Sequence, residues 1–168
     1  IEAYQEFLSA GLGWVEDNIY ACGKLADCFD ELGDKQKHLE YIYKSFDYAP
    51  PRAEFCCRLG FHFLNIQQYE QAAFWYNLAT QLEKPDDSSG FMNDACWSWL
   101  PHLQLCVCYD RLGKHELAYK HNETARKYSP RNNQVLYNKK YLEGVLGLSP
   151  KREEILDNQT QITDRPED

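Results

Sequence analysis

The chain has 168 residues, enough for one domain with a buried core, and 43% of them are hydrophobic and 14% aromatic, Tyr being the commonest ring. Its formal charge is −8 and no cluster of Lys and Arg interrupts the acidic balance, which excludes a polyanion such as a nucleic-acid backbone as the natural partner. No apolar run approaches the roughly 20 residues that cross a bilayer.

In chain order, residues 1–12 read as an amphipathic helix with Ile1, Tyr4, Phe7 and Leu8 on one side. Gly11, Leu12, Gly13 and Trp14 end it, and Asp17 or Asn18 is placed to cap the next helix. Trp14 is expected as a plug at a hinge, with a ligand contact as the alternative. Helices over 18–32 and 35–48 follow, closed by Pro50 and Pro51, which also start the next unit because proline is tolerated in a first helical turn. Over 56–85 the small and aromatic residues Cys56, Leu59, Gly60, Phe63, Tyr69, Ala72, Tyr76, Ala79 and Pro85 are spaced for two packed helices. Gly60 lets the second helix approach, Ala72 and Ala79 flank Tyr76, Tyr69 opens that helix and Pro85 ends it.

Residues 84–98, rich in Asp, Ser and Gly, are longer than an ordinary helix connection. Phe91, Trp97 and Trp99 are expected to fold back as plugs between the second and third units; the alternative is an aromatic surface for a partner or sugar. A helix over 99–112 follows with Pro101 in its first turn. After Pro130, Asn132 or Asn133 caps a last helix over 134–146, with Val135, Leu136, Tyr141, Leu142 and Val145 on its apolar face. From Ser149 the chain turns polar; that composition predicts disorder unless Ile155, Leu156 and Ile162 find a surface to lie on.

The register of 56–85 is repeated. One period earlier stand Cys22, Leu25, Ala26, Phe29, Gly33, His38, Ile42, Ser45 and Pro50; a longer step later stand His102, Leu105, Cys106, Tyr109, Gly113, His115, Ala118, Asn122, Ala125 and Pro130. Helix-turn signals at Glu31-Leu32-Gly33-Asp34 and Arg111-Leu112-Gly113-Lys114 are as far apart as Pro50 and Pro130. This pattern resembles the tetratricopeptide repeat (TPR), whose period is about 34 residues. The resemblance implies an all-α, right-handed superhelix of antiparallel helix pairs with a terminal capping helix. The units are a half repeat at 1–13, repeats at 18–51 and 52–85, an insertion at 86–98, a repeat at 99–130 and a capping helix at 132–147, making an array of 1–147 followed by a polar tail at 148–168. The half repeat reads as the remainder of an earlier unit, with self-association through its uncovered face.

The sequence carries no catalytic, cofactor-binding or metal-ligating constellation. His38, His62, His102, His115 and His121 form no metal or catalytic motif, and His38, His102 and His115 stand at packing or turn positions of the repeat. Asp27, Asp30 and Glu31 share one helix and Asp86 and Asp87 share a loop, with no opposing partner. The seven cysteines include Cys22, Cys28, Cys56, Cys106 and Cys108 on helical, apolar stretches; neither the pair Cys56–Cys57 nor Cys106–Cys108 has the second half of a zinc signature. They read as reduced core thiols, which implies a cytoplasmic protein.

A TPR stack offers a concave surface lined by the first helix of each pair. The packing register places Tyr20, Asp27, Asp30, Glu54, Cys57, Phe61, Asn65, Asp110 and Arg111 on it as a partner-binding groove. Such a groove is acidic and aromatic, lacks the Lys and Asn set that clamps a peptide carboxylate, and suits a basic or neutral segment.

Three runs narrow the resemblance: 94–113, which contains Trp97, Trp99, Pro101, Cys106, Cys108 and Tyr109; 53–60, Ala-Glu-Phe-Cys-Cys-Arg-Leu-Gly; and 135–141, Val-Leu-Tyr-Asn-Lys-Lys-Tyr. They are similar to the C-terminal TPR region of bacterial family 2 glycosyltransferases. The resemblance implies a non-catalytic arm that dimerises such an enzyme or presents its acceptor, catalysis residing in a separate domain with an Asp-x-Asp motif, which is absent here. A stand-alone TPR adaptor for an extended peptide is the alternative, and an enzyme in its own right is the third.

Overall fold

The computed structural model describes residues 1–85 and 92–148, and those residues are all-α. Among them are eight α-helices and no strand: α1 (Glu2–Ala10), α2 (Val15–Glu31), α3 (Lys35–Lys44), α4 (Ala53–Asn65), α5 (Tyr69–Gln81), α6 (Trp99–Arg111), α7 (His115–Tyr128) and α8 (Asn133–Leu146). Short 3₁₀ turns occupy Ser45–Asp47 and Asp94–Trp97. The expectations for Asp86, Asp87, Phe91 and the tail, including Ile155, Leu156 and Ile162, lie outside the described residues.

Helices α2 and α3, α4 and α5, and α6 and α7 pack as neighbours, and α5 also packs on α6 and α7 on α8. One turn geometry joins all three pairs. Asp34 N–H donates to Phe29 C=O at 2.9 Å, Gln68 N–H to Phe63 C=O at 2.9 Å and Lys114 N–H to Tyr109 C=O at 2.8 Å. This six-residue closure needs a left-handed residue at the helix end. Gly33 (φ 76°) and Gly113 (φ 71°) supply it in two turns, and Gln67 (φ 60°) supplies it in the third, against the preference of a residue with a Cβ. The middle turn therefore repeats the others in shape without repeating their glycine.

The core is a string of clusters between neighbouring helices. Leu8, Ile19, Cys22, Leu25, Phe29, Ile42, Phe55 and Leu59 join α1 through α4; Cys56, Ala72, Tyr76, Ala79, Leu105 and Cys108 join α4 through α6. Two smaller clusters hold α6, α7 and α8: Leu103, Ala125 and Val135, and Cys106, Ala118 and Leu142. Gly60 sits against the Tyr76 ring so closely that a Cβ there would lie 2.7 Å from its Cε2 and Cζ. That contact is why position 60 takes no side chain while Tyr76 is buried to 1% exposure. His38 is buried and its Nδ1 lies 2.8 Å from Ala26 C=O, fixing α3 on α2; Asn122 Nδ2 donates to Val135 C=O at 2.9 Å, fixing α7 on α8.

Several boundaries differ from those read in the sequence. The first helix stops at Ala10, where Gly11 turns left-handed. The second starts at Val15 without a side-chain cap; Asn18, expected as a cap, is buried and its amide donates to Gly13 C=O at 3.0 Å. Trp14 is 81% exposed and plugs nothing. Pro50 and Pro51 precede α4, whose N-cap is Arg52, so neither enters its first turn. Helix α5 ends at Gln81, where Leu82 becomes extended, before Pro85 is reached. Pro101 does lie in the first turn of α6, buried, and Asn132 caps α8 by accepting from Gln134 N–H at 2.9 Å.

Candidate functional site

A cavity of about 650 Å³ opens along α2, α4 and the start of α6. These are the leading helices of the three pairs, so the cavity lies on one side of the stack. Helix periodicity explains which residues reach it. Glu16, Tyr20, Gly23 and Asp27 recur at three- and four-residue steps on α2, and Glu54, Cys57, Arg58 and Phe61 do the same on α4. Met92, Asn93 and Cys96, and Leu100 and Gln104 of α6, complete the lining. Gln104 also borders a second depression, about 540 Å³, with Leu103, Val107, Asn133, Gln134, Tyr137 and Asn138. That residue is shared by the two spaces.

Two bidentate ion pairs tie the trough's walls together. Arg52 donates through Nη1 to Glu16 Oε2 at 2.7 Å and through Nη2 to Glu16 Oε1 at 2.5 Å. Arg58 donates through Nε and Nη2 to the two carboxylate oxygens of Asp27, both at 2.8 Å. The guanidinium of Arg58 also lies over the Phe55 ring, 5.3 Å from its centroid. The hydrogen bonds from Arg52 hold the Glu16 carboxyl below the ordinary carboxylate range, against burial. Burial opposes the charge on Arg58, and the hydrogen bonds and charge of Asp27 more than restore it. Asp30 is paired with Lys35, which likewise lowers its pKa. Glu54 accepts at Oε1 from the Asn93 N–H (3.0 Å) and the Trp97 indole N–H (2.7 Å), while its other oxygen is buried without a partner.

Of the nine residues expected on the groove, Tyr20, Asp27, Asp30, Glu54, Cys57 and Phe61 line this cavity. Asn65, Asp110 and Arg111 do not: they stand at the C-terminal ends of α4 and α6, and Asp110 instead pairs with His115 Nδ1 at 3.1 Å across the α6–α7 turn. On α6 it is Leu100 and Gln104 that face the trough. The surface is also less acidic than the register suggested, because Arg52, Arg58 and Lys35 occupy three of its carboxylates. Sequence reasoning passed over Arg52 and Arg58 since their partner acids lie 36 and 31 residues earlier in the chain, on α2. The insertion aromatics divide. Trp97 packs on the cluster between α4 and α6, whereas Trp99 packs on Leu103, Ala125 and Val135, on the far side of α6 from the expected junction.

A second polar group lies between α6 and α7. His102 Nδ1 and His121 Nδ1 are 3.0 Å apart, the rings stack, and Tyr109 stacks on His121 while its hydroxyl accepts from Asn77 Nδ2 at 2.7 Å. Burial lowers both histidines, His121 to about 4 with the help of its neighbour's charge. Neutral imidazoles filling a helix contact account for this arrangement.

Among the described residues no three His, Cys, Asp or Glu side chains are grouped as a metal ion would need. No described helix is long and apolar enough to cross a membrane. A scan against protein-family models finds no matching family, and a search of curated proteins finds no matching relative.

Proposed function

We propose that this chain is a non-catalytic interaction module of the tetratricopeptide kind, its helix pairs stacked as a right-handed superhelix, which holds an extended protein segment along the trough of α2, α4 and α6. The observation that carries this reading is the trough itself. It is open, its walls are braced by internal ion pairs, and Phe61, 47% exposed, stands at its side as an uncovered aromatic anchor. Because Glu16, Asp27 and Asp30 are already paired with cations, the occupant is better described as a mixed apolar and amide-rich strand than as a basic one. The carboxamides of Gln104, Asn133, Gln134 and Asn138 supply donors and acceptors for a peptide backbone along the second depression.

In the larger setting, the module is the C-terminal arm of a bacterial family 2 glycosyltransferase, aiding dimerisation or acceptor recognition; the runs around Trp97–Gly113 and 53–60 support that placement. A stand-alone adaptor that binds an extended peptide in the trough is the alternative. The coding sequence upstream of Ile1 separates them: alternating strands and helices with Asp-x-Asp support the arm, and a nearby start codon supports the adaptor.

The binding reading is tested with peptides selected from a random phage-displayed library on the immobilised protein. Phe61→Ala and Gln104→Ala are expected to weaken selected peptides about tenfold each, the effect of about 1.4 kcal/mol, with melting unchanged. Peptides indifferent to both substitutions would place the binding surface elsewhere.

A further inference from the structure

The trough holds one pair of groups that peptide binding does not use. Cys57 on α4 and Cys96 in the Asp94–Trp97 turn share a buried cluster, and that turn packs on α4, where Glu54 accepts from Asn93 N–H and the Trp97 indole. Both also line the cavity, so two thiols that are only 6% and 5% exposed are approached through an open space rather than through packed core. The other buried cysteines lack that combination: Cys22, Cys56, Cys106 and Cys108 are buried and do not border this cavity.

We propose that Cys57 and Cys96 form a redox-active pair, oxidised to an intramolecular disulfide by low-molecular-weight disulfides that enter the trough. The bond staples the Asp94–Trp97 turn to α4 and fixes the wall that carries Glu54 and Trp97. The contact sets the order of events. The hydrogen bond from Cys57 holds the Cys96 thiol below its ordinary range, against burial and with the nearby charge of Arg58 assisting; the same bond, with burial, raises Cys57. Of the two, Cys96 gives up its proton more readily, so it is assigned the attack, with Cys57 keeping its proton until the second step.

In the first step the Cys96 sulfur attacks one sulfur of the small disulfide. A mixed disulfide forms and one small thiolate leaves. Cys57 gives its proton to that thiolate, then attacks the Cys96 sulfur, forming the protein S–S bond and expelling the second small thiolate, which takes a proton from water. The two cysteine thiols lose two electrons and two protons; the small disulfide gains both electrons and becomes two thiols.

The test treats the full chain with glutathione disulfide, quenches with acid, denatures, and counts thiols before mapping bridges by mass spectrometry. The seven thiols are expected to fall by two. The bridge joins the peptide carrying Cys56 and Cys57 to the peptide carrying Cys96, with the loss of two hydrogens. Fragmentation assigns it to Cys57, and the Cys56→Ala protein forms it at the same rate. Cys57→Ala and Cys96→Ala do not, the former instead accumulating a mixed disulfide on Cys96. A bridge through Cys56, Cys106 or Cys108, or Cys57 and Cys96 both remaining free thiols under conditions that modify the half-buried Cys28, would overturn the assignment.

Discussion

Replacing Gly60 with alanine adds a methyl group 2.7 Å from two carbons of the Tyr76 ring. The ring cannot swing away, because it is 1% exposed and enclosed by Cys56, Cys57, Ala72 and Ala79 of the same cluster. Either the ring or the α4–α5 spacing must shift, and overpacking of this kind costs about 1–3 kcal/mol. Against that stands the gain of about 1 kcal/mol from replacing glycine within a helix. The net expectation is a loss of about 0–2 kcal/mol, in place of the gain an unobstructed helical glycine would give. Gly144 provides the internal control: it is also helical, and a Cβ there meets nothing within 4 Å, so Gly144→Ala should gain about 0.5–1 kcal/mol. Urea unfolding followed by circular dichroism reads both, and at this chain length each kcal/mol moves the melting point by about 2–4 °C. Adding Tyr76→Leu to Gly60→Ala should recover part of the alanine's cost, since the smaller side chain vacates the overlap. Equal stabilisation by Gly60→Ala and Gly144→Ala would refute the close α4–α5 contact.

At Gln67 the left-handed backbone strains a residue that has a Cβ, so Gln67→Gly should stabilise by about 0.5–1 kcal/mol net of the extra freedom glycine has when unfolded; a loss in the urea midpoint would contradict the turn geometry. Breaking the α2–α4 brace with Arg58→Met and Asp27→Asn, singly and together, should reveal a coupling of about 0.5–1.5 kcal/mol, modest because the pair is partly open to water; zero coupling would show that the two side chains act independently. His102 and His121 are lowered in the folded state, so the unfolded chain binds protons first as pH drops. Their contribution is complete above the ordinary histidine value of 6.5 and is lost progressively toward about 4. One pKa unit is about 1.4 kcal/mol, and water at the half-buried His121 ring reduces its share to about 1–2 kcal/mol. Comparing wild type with His121→Gln by urea unfolding at pH 7.5 and pH 5 isolates this term, and the gap between the two proteins should change by that amount; a gap independent of pH would remove the histidines from the account.

The helix pairs were legible because their packing is written in residue size: Gly60 opposite Tyr76, Ala72 and Ala79 beside it, and glycines in two of the three turns. The third turn was harder to see because Gln67 adopts the left-handed conformation without announcing it. Trp14 was misread since an aromatic next to glycine suggests a plug, whereas here it stands exposed where the chain passes from α1 to α2. The trough was legible on α2 and α4, where the three- and four-residue steps carry Tyr20, Asp27, Cys57 and Phe61 to the same side. It failed on α6, where the intervening turn and the start at Trp99 bring Leu100 and Gln104 to face the space instead of Asp110 and Arg111. Charge was the other miss. Asp27 was visible, but Arg58, which neutralises it, lies on the next leading helix, a pairing that depends on how α2 and α4 pack.

The most direct test of the trough as a partner surface is backbone amide NMR of the labelled protein during titration with a library-selected peptide. The account predicts shift changes concentrated at Tyr20, Asp27, Phe61 and Gln104, with α3, α5 and α7 little affected. Changes confined to those three helices, with the trough residues silent, would contradict it.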